Sequence, residues 1–182
     1  MGEVRESGLL LKEKETLKEK RIPLILLAKG NIPKDYPKDK LLEYYNLKFN
    51  LELGKEVNKS EFEMLNEKIK RWQRNENNDP SYFMLLNLAE KINLTGKYLA
   101  EIAFEEFCYP DISEAILSLA LRGYKFIIVI PIDYLSGISQ ETFNKIEELK
   151  SKLNVEIVVA WPYSLALLLD FIREHLYTFM GR

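Results

Sequence analysis

Four short apolar runs constrain this chain more than any other feature: Ile22–Ala28 (IPLILLA), Tyr98–Phe104 (YLAEIAF), Phe126–Ile132 (FIIVIPI) and Val155–Trp161 (VEIVVAW). Runs of this length, rich in Ile, Val and aromatic residues, are strand-sized, and their near-continuous apolarity fits a parallel sheet covered on both faces. Helical periods separate the last three. Asp111–Arg122 starts after Pro110, repeats apolar residues at Ile112, Ala115, Ile116 and Leu119, and closes at Gly123. Gln140–Leu153 gathers Phe143, Ile146, Leu149 and Leu153 on one face, and Leu165–Phe179 is a strongly apolar final helix. Strand–helix alternation of this kind predicts an α/β fold, a four-stranded parallel sheet with right-handed βαβ crossovers.

Residues 31–78 interrupt the rhythm. Pro33 and Pro37 open the stretch, a short helix is expected at Asp39–Tyr45, and Asn46–Leu53 (NLKFNLEL) alternates as a strand would. A helix follows from Ser60 to about Arg74, with Ser60 and Glu63 as a capping box and a narrow stripe of Phe62, Leu65, Ile69 and Trp72. The breaker Asn75–Pro80 precedes another helix at Ser81–Asn93. Too few large apolar residues lie in 31–78 to hold a core alone. The stretch therefore reads as an insertion after the first strand of a single domain spanning 1–182, with the Phe62–Trp72 stripe packed over the sheet's carboxyl end or a partner subunit.

Composition narrows the chemistry. Lys+Arg 26 against Asp+Glu 28 leaves a net charge of -2, so there is no basic excess to draw in nucleic acid. The single cysteine, Cys108, excludes an internal disulfide or a zinc knuckle, and the single histidine, His175, excludes a His-rich metal site. His175 falls among apolar residues of the final helix and reads as a helical surface residue; Cys108 reads as a small packed side chain. The first twenty residues mix acids and bases around the short run Leu9–Leu11, which is neither a secretory signal nor a span. A cytoplasmic protein that does not cross a membrane is expected, and the abundance of Lys, Glu and Ile matches ion-pair-rich thermophilic proteins.

Ligands of open parallel sheets bind beyond the strands' carboxyl ends. Those positions hold Lys29-Gly30-Asn31, Glu105-Glu106-Phe107, Asp133 to Ser139, and Pro162-Tyr163-Ser164. Neither GxxxxGK[ST] nor GxGxxG occurs, so nothing supports nucleotide binding. Tyr134, Trp161 and Tyr163 could stack on a flat ligand or simply pack.

From Tyr98 to about Leu176, these strand ends resemble the small sirohydrochlorin cobalt or iron chelatases of the CbiX type. The family's apolar strand, Phe-Leu-Glu and Pro-Ser-Ile match Glu101 to Glu106 and then Pro110-Asp111-Ile112. Its helix ending in Gly, VVVP strand and Gly-containing loop match Gly123, Ile127–Pro131 and Gly137-Ile138-Ser139, and its His-Gly-Ser after strand one matches Lys29-Gly30-Asn31. The resemblance implies a chelatase-like, flavodoxin-like fold, a homodimer that completes a cleft, and a place in cobalamin or siroheme synthesis. It also implies a lyase inserting cobalt or iron, as substrate metal, into a tetrapyrrole. By position it makes Glu106 and Lys29 the catalytic candidates, Glu106 a weak metal ligand, and Gly30, Asp133, Gly137 and Ser139 substrate contacts. Both family histidines are replaced, by Lys29 and Ser139, so no stoichiometric binding of cobalt, nickel or zinc is expected at the cleft. An enzyme using Glu106, with Lys29 on the macrocycle's carboxylates, and a non-catalytic tetrapyrrole- or protein-binding member both stay open, as does an unrelated flavodoxin-like regulator.

Overall fold

A strand apolar at every position has no face to give to water. Ile22–Ala28 (β1) is accordingly enclosed on both sides, with Leu24, Ile25, Leu26 and Leu27 all at most 5% exposed. The structure, a computed structural model, describes residues 21–133 and 136–180. Leu9–Leu11 and Tyr134 lie outside them.

Strands Tyr98–Phe104 (β2), Phe126–Pro131 (β3) and Glu156–Val159 (β4) join β1 in one parallel sheet of order β2-β1-β3-β4. Three helices separate β1 from β2: Lys38–Glu52 (α1), Lys59–Lys70 (α2) and Pro80–Leu94 (α3). Ile112–Leu121 (α4) leads to β3, Gln140–Leu153 (α5) to β4, and Leu165–Met180 (α6) is the last element among the described residues. The α/β, flavodoxin-like reading holds, with helices on both faces. One face packs Ile25, Leu27, Ile127 and Val129 against α4 and α5. The other packs Leu24, Leu26, Ala100 and Ile102 against Leu85 and Ala89 of α3. Strand order reverses about β1 and β3, so their carboxyl ends flank the crevice where such sheets take ligands.

Local chemistry sets the helix starts. Asp111 caps α4 in a reciprocal box with Glu114, and Asp79 caps α3 immediately before Pro80. The NLKFNLEL segment is not a strand: it continues α1. Of its alternating apolar residues, Leu47 and Leu51 turn inward one helical turn apart, while Phe49 and Leu53 face solvent. Nor does Ser60 cap α2. Asn58 does, accepting from the Glu61 amide at 3.3 Å, and the helix ends at Lys70 instead of continuing to Arg74.

The α2 stripe is covered as its spacing requires. Leu65 and Ile69 are buried with Tyr36, Tyr44 and Phe107, and Phe62 and Trp72 pack at the margin. Phe107 belongs to the loop after β2, so the small insertion core is closed by a side chain from the sheet's carboxyl end.

Arg74 ties the same parts together by hydrogen bonds. Its guanidinium pairs with Asp79, donates to the Phe107 carbonyl, and reaches the Asn31 carbonyl at 3.0 Å. Both charged side chains are buried, 6% and 1% exposed. Removing one member strands the other charge in a poorly hydrated site. Arg74→Met is expected to lower unfolding free energy in urea by about 3–5 kcal/mol. Arg71→Met, at a side chain 72% exposed, should change it by less than about 1 kcal/mol.

Candidate functional site

The carboxyl edge of β1 and β2 is held by backbone bonds that continue the ladder past the strands. The Glu105 amide donates to the Ala28 carbonyl at 3.0 Å and the Glu106 amide to the Lys29 carbonyl at 2.8 Å. This close approach dictates glycine at position 30. A Cβ there would lie 2.0 Å from the Glu106 carbonyl oxygen, and φ is +90°. Gly137 is similarly confined beneath Trp161, whose ring atoms would stand 2.7–3.0 Å from an added Cβ.

The two adjacent glutamates diverge. Glu105 reaches across to the loop before α5, where the Ser139 amide and hydroxyl both donate to its Oε1 at 2.8 Å. Ser139 is also the N-cap of α5, its oxygen accepting from the Thr142 amide at 3.2 Å. A carboxylate at this position complements the positive end of the helix dipole. Glu106 turns instead toward the insertion, its carboxylate 3.6 Å from Lys48 Nζ on α1. Lys48 in turn lies 5.9 Å from the centre of the Phe107 ring.

Lys29 is exposed at the end of β1, with no ion-pair partner among the described residues. Asp133, also exposed, accepts from the Ser136 amide at 3.2 Å, which shapes the loop after β3. Tyr163 donates to the Pro131 carbonyl at 2.9 Å and so anchors the chain leaving β4 to the end of β3. His175 lies far along α6, between the rings of Phe171 and Phe179. Cys108 is buried, and desolvation pushes its thiol up to about 11, which disfavours the thiolate.

Chemically, then, the edge brings Glu105 to Ser139 and leads Glu106 away to Lys48. Among the described residues no three His, Cys, Asp or Glu side chains gather closely enough to hold a metal ion. Sequence reasoning missed Glu105 and Lys48. Adjacent acids give no signal of which will face the α5 loop, and Lys48 lay in a segment read as alternating. A cap at Ser139 was visible as a Ser directly before a helical period. No family model matches the chain, and no curated protein matches it.

Tyr44 of α1 senses this edge. Burial, with the nearby Glu106 charge adding to it, pushes its phenol up from 10.0 to about 12. The unfolded phenol thus ionises first, so this contribution to stability is complete below pH 10 and is lost as pH rises from 10 toward 12. Thermal melts should show a decline over that interval that Tyr44→Phe reduces, with no corresponding change near neutrality.

Proposed function

We propose that this chain is a non-inserting relative of the chelatases that binds an anionic, flat macrocycle of the tetrapyrrole class at the sheet's carboxyl edge. The observation that carries the reading is the pair of replacements at the positions of the family's imidazoles. Lys29 presents a cation to solvent, and Ser139 is committed to capping α5 and to Glu105.

Metal insertion needs groups that accept pyrrole protons and ligate a divalent metal. A protonated lysine does neither, a capping serine is a poor ligand, and Glu106 is paired with Lys48. The same residues suit binding. Lys29 can pair with the peripheral carboxylates of a tetrapyrrole. Trp161, held over Gly137 and 41% exposed, offers a ring face on the same edge.

An optical titration with sirohydrochlorin, run with and without cobalt, tests this. A saturable shift of the macrocycle's absorption and quenching of Trp161 fluorescence are expected, with cobalt entering no faster than in protein-free solution. Lys29→Ala should weaken binding about tenfold, the loss of one charge-assisted contact. Cobalt insertion above the blank would make the chain an enzyme instead, and an unshifted spectrum at saturating protein would remove the tetrapyrrole.

A further inference from the structure

Helix α6 has no buried residue, yet its apolar side carries nothing that selects a partner. A cavity of the insertion is more selective. It measures 530 Å³ and lies between the end of α2 and the chain that leads from β1 into α1. Tyr36, Pro37, Met64 and Trp72 supply its apolar lining, and Lys40, Glu67, Lys68 and Arg71 its charges. The volume falls within the ~300–1,000 Å³ of small-molecule sites, which combine an apolar lining with a few convergent polar groups. None of the carboxyl-edge candidates lines it.

The lining is held in place from behind. Trp72 Nε1 donates to Asp35 at 2.9 Å, and Asn78 donates to the same carboxylate at 3.0 Å. Tyr36, itself buried, meets the Trp72 ring edge-to-face with centres 5.0 Å apart. The indole is half-buried, so part of it is left to the cavity. Met64, 48% exposed, adds a thioether, which packs well against aromatic edges. A lining of indole, phenol, proline and thioether suits a flat aromatic ring.

The charges call for an anion. Three cations line the cavity against one carboxylate, and that carboxylate is already satisfied. Glu67 accepts from the Tyr109 hydroxyl and pairs with Arg71 at 3.2 Å and Lys70 at 3.9 Å. Lys40 is shared with Glu43 at 2.7 Å, and Arg71 also lies over the Tyr109 ring. Lys68 is exposed and has no ion pair among the described residues. We propose that this cavity is a second ligand site, separate from the carboxyl edge, and that it takes a small aromatic carboxylate. The ring lies against Trp72 and Met64, and the carboxylate meets Lys68. A neutral ring would leave the ammonium without a partner, and a bare anion would leave the apolar lining in water. A nucleic-acid strand fits worse, because Glu43 and Glu67 already hold two of the three cations.

The test uses the full chain with naphthalene-2-carboxylate as the probe. It is read in the nitrogen–proton correlation spectrum, where the chain's 2 tryptophans each give an indole signal. Trp161→Phe assigns them. The Trp72 signal is expected to shift and saturate with a dissociation constant of about 0.1–1 mM, the affinity usual for a ligand of this size. The Trp161 signal should stay in place. Naphthalene-2-carboxamide, which lacks the charge, and inorganic phosphate, which lacks the ring, should each bind at least about tenfold more weakly. Lys68→Ala should weaken the carboxylate about tenfold and leave the carboxamide unchanged. Because Lys68 is exposed, the variant keeps the fold. A Trp72 signal unmoved at about 10 mM probe would overturn the inference. So would equal binding of the carboxamide or of phosphate, or a Lys68→Ala chain that binds the carboxylate as well as the parent. A shift of the Trp161 signal instead would overturn it too, and would assign the anion to the carboxyl edge.

Discussion

The buried pair of Arg74 and Asp79 is the interaction on which the carboxyl edge depends. Asp79 caps α3, and the guanidinium that neutralises it also binds the carbonyls of Asn31 and Phe107. One charged group thus joins the loop after β1, the loop after β2, the end of the insertion and the start of the helix that covers the sheet. Buried ion pairs contribute little net stability when compared with apolar replacements, but they tolerate few alternative arrangements. Around this pair, Asn78 donates to Asp35 at 3.0 Å and Trp72 Nε1 donates to the same carboxylate at 2.9 Å. Those bonds hold Asp35 below the ordinary carboxylate range, the Asn78 contact most strongly.

That anchoring explains how so polar an insertion can be ordered. Its apolar cluster is small, and Phe107 completes it from outside. Phe107 has φ of 58°, a left-handed conformation uncommon for an aromatic residue. The conformation turns the ring toward Tyr44, with ring centres 6.0 Å apart. The loop after β2 is thereby divided. Glu105 serves the α5 side, while Glu106 and Phe107 serve the insertion.

Much of the fold was legible in the amino-acid order, and the reasons are physical. Strands buried on both faces leave continuous apolar runs, so β1 was recognisable with its limits, and the apolar period between Pro110 and Gly123 marked α4. The segment from Asn46 to Leu53 was not legible, because alternating Leu and Phe satisfies a strand, while half of the same residues satisfies a helix. Only packing decides between them: Tyr44, one turn earlier, and Leu47 enter the cluster that Phe107 closes. The carboxyl edge was legible as a set of loops but not as contacts. Lys29 and Ser139 could be placed at strand ends, but which of two neighbouring glutamates meets Ser139 depends on the path of a loop whose turn is held by Arg74. The exposure of α6 was equally hidden, since its apolar sequence predicts burial and does not name the surface.

The position of β1 has a consequence for how the chain reaches this structure. It is the first strand among the described residues and it lies between β2 and β3, which do not touch each other in the sheet. Its residue Ile22 pairs with Tyr98, and Leu24 pairs with Ile128. No pair of strands can therefore close early by a short hairpin, and although β3 and β4 pair with each other, β2 cannot join them without β1. Contacts so distant in sequence carry a loop-closure cost before any return, which slows folding relative to locally connected chains. During synthesis β1 emerges with most of its neighbours still unmade, and a seven-residue run of IPLILLA has to be kept from other partners until they arrive.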